Sequence, residues 1–171
     1  MLIAMCGLPG SGKSTVADDL GRRRGWPVLS VDPVEAAIRR AGVAPGQPVG
    51  LAAYVVVEAV AEHLLTLGQT VVVDAVNDVP EARGQWLALA ERRGVPLQFV
   101  EVVCSDPEVH RRRLESRRRG LVGMDEPSWD SLVPRRAELQ RWTGERITVD
   151  SLGDHEDLVT GVLERLARAG V

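Results

Sequence analysis

Five apolar residues, Leu2 to Cys6, run straight into Gly7-Leu8-Pro9-Gly10-Ser11-Gly12-Lys13-Ser14-Thr15, and a helix-like segment follows. No other stretch constrains the chain as tightly. Three glycines and a proline within six residues rule out regular structure there and let the main chain close on itself. Gly7 to Ser14 fits G-x-x-x-x-G-K-[ST] between a strand and a helix, the pattern of a phosphate-binding loop. In such a loop the backbone N–H groups wrap phosphate oxygens, and the following helix adds the positive end of its dipole. Gly7, Pro9, Gly10, Ser11, Gly12, Lys13, Ser14 and Thr15 are therefore the predicted nucleotide-binding residues. Lys13 is the only lysine of the chain, all twenty other cationic side chains being arginine. A compact ammonium suits the β- and γ-phosphates where a broad guanidinium does not. The Ser14 hydroxyl is the predicted first ligand of Mg²⁺.

Strand-like and helix-like segments alternate along the rest, which predicts an α/β domain with a mostly parallel sheet. Strands are expected at 2–6, 26–31, 70–76, 96–104 and 146–150. Helices are expected at 14–25, 32–42, 51–67, 79–94, 105–120 and 154–169, with an irregular and then helical stretch at 121–133. Asp32 before Pro33 offers an N-cap, as does Asp106 before Pro107, or Ser105 paired with Glu108 as a capping box. Pro/Gly-rich stretches at 42–50 and 120–127 are expected as loops around a site rather than as domain linkers. The 171 residues fit one domain.

Ligands of open parallel sheets bind beyond the carboxyl ends of the strands. Asp32, at the end of the second strand, is placed to take a proton from a hydroxyl attacking the γ-phosphate, or to cap the helix, or both. Asp74 closes "VVVDAV" and is the expected second Mg²⁺ residue, directly or through water. Asn77 and Asp78 follow in a turn, where substrate contact and simple turn chemistry both remain open. Arg113 and Arg117 are four apart and share a helical face, from which a guanidinium can stack on adenine or bridge transferring phosphates. Arg111, Arg112, Arg118, Arg119 and Arg22–Arg24 are expected on solvated faces. Arg135 and Arg136 follow the irregular segment and are candidates to reach the nucleotide. His63, His110 and His155 show no catalytic spacing and are expected at the surface or in packing, as are the four tryptophans, with Trp129 a secondary candidate to cover a ligand.

The net charge of −3 argues against a nucleic-acid coat. The longest apolar stretch, 51–67, is interrupted by Glu58, Glu62 and His63, which argues against a membrane span. The beginning of the chain lacks signal-peptide features, and the two cysteines lie in strand-like runs, which predicts buried thiols in the cytoplasm. No His/Cys spacing suggests a zinc site.

The ordered segments "GLPGSGKST", "LSVD", "VVVDAVN", "CSDPEVHRRRLESR", "WDSLVPRR" and "ITVD" resemble the small P-loop kinases related to adenylate kinase. More closely, they resemble the group holding chloramphenicol phosphotransferase, the kinase domain of polynucleotide kinase and the zeta toxins. The resemblance implies a three-layer P-loop NTPase fold, with a five-stranded parallel sheet in the order 2-3-1-4-5 and helices on both faces. It implies a substrate cap at about 33–67 and a short lid at about 118–134. It implies Asp32 as the base or hydroxyl-orienting residue, Arg113 stacked on adenine and Arg117 on the transferring phosphate. It also implies Arg83 near the substrate. The expected activity is transfer of the γ-phosphate of ATP to a hydroxyl of a small molecule, with Lys13, Asp32 and Arg117 as catalytic residues. The alternatives are a polynucleotide 5′-hydroxyl kinase and an ATP-binding regulatory or toxin-type interaction protein. The acceptor, the oligomeric state and the choice of ATP over GTP stay open.

Overall fold

The computed structural model describes residues 1–170 apart from positions 45, 118, 119, 122 and 125. Five parallel strands form one sheet in the order β2-β3-β1-β4-β5. They are β1 (Leu2–Cys6), β2 (Val28–Ser30), β3 (Val71–Asp74), β4 (Leu97–Val103) and β5 (Ile147–Asp150). The described helices are α1 (Lys13–Arg24), α2 (Val31–Arg40), α3 (Val49–Thr66), α4 (Pro80–Arg93), α5 (Pro107–Ser116), α6 (Leu132–Arg141) and α7 (His155–Arg168).

The period-2 alternation of a strand divides the central strands between two cores. Leu2, Ala4 and Cys6 of β1, with Val71 and Val73 of β3, pack against α3 and α4 through Ala53, Val57, Trp86 and Leu89. Ile3, Met5, Val72, Val100 and Val102 face the other way, onto Val16 and Leu20 of α1 and Val159, Val162 and Leu166 of α7. Both faces of the sheet are thus covered, which is why β1 reads as an unbroken apolar run. α3 is long and apolar enough to cross a membrane by composition, with mean hydropathy 1.5. One face of it packs into the core through Val49, Ala53, Val57, Ala61 and Leu65, Glu58 and Glu62 pair with Arg92 of α4, and Leu51, Val55, Val56 and Val60 are exposed.

Several boundaries differ from the sequence reading, and α6 runs to Arg141 where the sequence predicts a helical stretch only to 133. The second strand stops at Ser30, and α2 begins at Val31, so Asp32 sits in the first helical turn and is not the N-cap. Ser30 holds that place, and its hydroxyl donates to Asp74 Oδ2 at 2.9 Å and accepts no N–H of the helix. α5 ends at Ser116 rather than near Gly120, and its N-cap is Asp106, which accepts from the N–H groups of Glu108 and Val109. Positions 118, 119, 122 and 125 of the expected lid, position 45 of the expected cap, and the surface reading of Arg118 and Arg119 lie outside the described residues. Cys6 is buried, Cys104 is half-buried, and both thiols are free.

Candidate active site

Strand register brings the site together. Met5 pairs with Asp74, and Ser30 pairs with the same residue from the other side. The carboxyl ends of β1, β2 and β3 therefore meet where the glycine-rich loop leaves β1. Gly7, Gly10 and Gly12 adopt φ of 137°, 82° and 96°. At Gly7 any side chain is excluded, because a Cβ would lie 2.4 Å from the Val102 carbonyl oxygen of β4. The loop is thus pressed against the sheet end, and its remaining freedom is spent on curvature.

α1 starts at Lys13 with Gly12 as its N-cap, without a capping side chain and without an acidic residue in its first turn. A helix start of this kind suits an anion. Lys13 is only 3% exposed, and burial lowers its proton affinity, while the nearby Asp74 carboxylate works against that. Asp74 is itself 4% exposed. One of its oxygens accepts from Ser30, and the other, Oδ1, is buried with no hydrogen-bond partner. An orphaned carboxylate oxygen beside a hydroxyl-bearing helix start is an oxygen donor set suited to a hard cation such as Mg²⁺. Among the described residues no cluster of three His, Cys, Asp or Glu side chains forms a self-sufficient metal site, so such an ion would share its coordination with phosphates.

Among the described residues three cavities touch the loop, one of them through Gly7, Leu8 and Ser11, and the other two meet at Arg117. Of these two, the first, about 470 Å³, is lined by Gly10, Gly12 to Thr15, Arg113, Arg117, Ser151 and His155. Arg113 donates to Ser151 Oγ at 2.8 Å and to the Ser151 carbonyl at 3.2 Å, so its guanidinium stands at the wall of this cavity. His155 is paired with Asp19 of α1. The second, about 430 Å³, is lined by Pro9, Asp32, Glu35, Arg39, Tyr54, Asp78, Glu126 and Arg135, and again by Arg117. Arg117 is the shared wall. Its guanidinium lies 3.8 Å from Asp32 and 3.9 Å from Glu126. Burial lowers its proton affinity, and Glu126 and Asp74 oppose that. Arg135 lies 3.7 Å from Asp78, and Arg39 donates to Glu35 at 2.6 Å.

The loop residues, Asp32, Asp74, Arg113 and Arg117 thus converge. Asn77 and Arg83 do not join them. Asn77 is fully buried at φ 51°; its amide donates to the Met5 carbonyl at 2.7 Å and its Oδ1 accepts from Trp86 Nε1 at 2.8 Å. Arg83 is 6% exposed, donates to the carbonyls of Asn77 and Asp78, and stacks on Trp142. Both side chains fasten the turn after β3, and neither lines the second cavity. Arg136 stacks over Trp129, which packs edge-on against His110, so neither covers the first cavity. Sequence reasoning missed Glu35, Arg39 and Tyr54 at the second cavity, and Ser151 and His155 at the first. Tyr54, the single tyrosine of the chain, carried the one visible signal, a polar tip inside an apolar helix.

The AAA domain family model, AAA_33, matches residues 2–139. No protein of curated function matches the chain in sequence. Among solved structures, a proposed kinase from Chloroflexus aurantiacus J-10-fl is similar at 20% identity, covering 95% of this chain and 96% of that one, with a TM-score of 0.73. APS kinase CysC from Mycobacterium tuberculosis, in complex with AMPPNP and APS, is similar at 20% identity over 97% and 96% of the two chains, with a TM-score of 0.67. A gluconokinase from Sinorhizobium meliloti 1021 is similar at 24% identity over 97% and 91%, with a TM-score of 0.64.

Proposed function

The chain belongs to the AAA domain family AAA_33, and from that premise we propose that it is an ATP-dependent phosphotransferase that moves the γ-phosphate of ATP to a hydroxyl of a small molecule. The observation that carries this reading is the position of Arg117, which lines both cavities and lies 3.8 Å from Asp32 at their junction. ATP takes the first cavity, with its phosphates on the amides of Gly10 to Thr15 and its base beside Arg113. The acceptor takes the second. Asp32 orients the attacking hydroxyl and accepts its proton. Lys13 and Arg117 stabilise the charge that spreads over the phosphoryl oxygens in transfer. Ser14 and Asp74 would hold Mg²⁺, which neutralises phosphate charge when bound. The kinases of similar fold support the same reading, since APS kinase is a complex with AMPPNP and APS, and gluconokinase is named for a small-molecule reaction. Two free thiols support a reducing compartment, so we place the protein in the cytoplasm.

A polynucleotide acceptor needs a basic groove. The second cavity instead has Asp32, Glu35, Asp78 and Glu126 facing Arg39, Arg117 and Arg135 among the described residues, which favours a compact acceptor. The test is ADP release above basal hydrolysis across a pool of hydroxyl-bearing metabolites, with 5′-hydroxyl oligonucleotides as a separate arm. At least one small-molecule fraction is expected to stimulate the wild type and not Asp32→Asn. Stoichiometric ATP binding with no stimulating fraction would instead favour a nucleotide-binding interaction protein.

A further inference from the structure

A phosphate-binding loop has two sides. Its amides face the phosphates, and its carbonyls turn back into the protein, where each needs a donor. The Leu8 carbonyl accepts from Ser11 N at 3.1 Å and the Gly12 carbonyl from Val16 N at 3.2 Å. The Pro9 carbonyl has a different partner: His110 Nε2 of α5, 2.8 Å away. Among the described residues no other side chain hydrogen-bonds a carbonyl of the loop. A carbonyl oxygen only accepts, so the imidazole donates through its Nε2–H. The ring is 4% exposed. Trp129 packs edge-on against it at 5.2 Å, and Arg136 of α6 lies over Trp129 at 4.8 Å. Arg113, on the same helix, is the other charged neighbour.

The peptide unit explains what this bond does. The Pro9–Gly10 bond is planar and trans, so its C=O and its N–H point in opposite directions. Fixing the Pro9 oxygen on α5 therefore aims the Gly10 N–H away from α5, toward the nucleotide cavity that Gly10 lines. Gly10, at φ 82°, has no side chain to resist rotation of this unit. Its backbone is also in close contact with the helix, since a Cβ there would lie 3.3 Å from both His110 Cδ2 and Leu114 Cα.

We propose that His110 is a positioning residue: it holds the Gly10 amide in its phosphate-binding orientation, and through Trp129 and Arg136 it ties that orientation to α6. The inference rests on the loop being a nucleotide site and adds the device that sets it. The same α6 carries Arg135 to the acceptor cavity, so the two cavities are linked through one buried imidazole.

Two variants of similar side-chain length separate the donor from mere bulk. H110Q keeps an N–H donor at the right reach, and H110M does not. Each is titrated calorimetrically with Mg·ATP near neutral pH and melted without nucleotide. H110Q is expected to bind within about threefold of the wild type, and H110M at least about tenfold more weakly, the scale of one lost hydrogen bond. The two unliganded variants are expected to melt within a few degrees of each other. If H110M does not fold, H110F, which keeps an aromatic ring against Trp129, takes its place. Wild-type affinity in the variant without a donor, or equal losses in both, overturns the proposal. A folded wild type that takes up no nucleotide contradicts the nucleotide reading itself, and that result is seen before any variant is compared.

Discussion

The roles proposed for Lys13, Asp32 and Arg117 are ones that different measurements separate. Lys13 is buried at the start of α1 and lines the first cavity. Lys13→Ala is expected to weaken Mg·ATP binding and to lower transfer by about 10²–10³. Asp32 lines the second cavity and not the first, so Asp32→Asn is expected to leave ATP affinity within about twofold while transfer falls by about 10²–10⁴. Unchanged turnover in that variant would remove Asp32 from the mechanism. Arg117 touches both cavities, and Arg117→Ala is expected to reduce kcat by about 10³ with a smaller change in the KM for ATP. At this scale the loop was legible from sequence because its chemistry is local: eight consecutive residues supply curvature, amides and cation. Asn77 and Arg83 were not legible, because Asn77 bonds the Met5 carbonyl and Arg83 stacks on Trp142, both far away in sequence.

The turn after β3 shows how one side chain joins three elements. Asn77 ties β3 to β1 through Met5 and to α4 through Trp86. Its left-handed backbone is one that asparagine tolerates and alanine does not. Asn77→Ala is expected to destabilise the fold by about 2–3 kcal/mol, since two buried partners lose their bonds. Urea unfolding measures this, and a change confined to acceptor KM would contradict the structural role. The order of elements followed from sequence periodicity, because each strand and helix has its own apolar rhythm. Their ends followed less well. An Asp before a Pro reads as a cap, yet at α2 the cap lies two residues earlier, and the Ser30 hydroxyl at that place is drawn to Asp74 on the neighbouring strand. Such competition between a local and a cross-strand partner is invisible in a linear sequence.

At the scale of the molecule, stability and ligand binding should report on the same buried groups. Burial lowers the proton affinity of His110 below its ordinary value of 6.5, with Arg136 and Arg113 adding to this and the Pro9 carbonyl opposing it. A depressed folded value means that the unfolded chain takes up the proton first as pH falls. The His110 contribution to stability is therefore full above about pH 6.5 and is lost as pH falls through the lower folded value. Melting temperatures between about pH 7.5 and 5.5 should fall more in the wild type than in H110Q. The strand order and the covering of both sheet faces agree with the resemblance to small P-loop kinases, while Glu35, Arg39 and Tyr54 of the second cavity were not read from sequence because that cavity is assembled from α2, α3, α6 and the segments between them. The most direct test of the whole account is calorimetric titration of the folded protein with magnesium-loaded ATP, run beside Lys13→Ala. One saturable site in the wild type, absent or strongly weakened in the variant, is the predicted result. A folded wild type that takes up neither Mg·ATP nor Mg·GTP would contradict it.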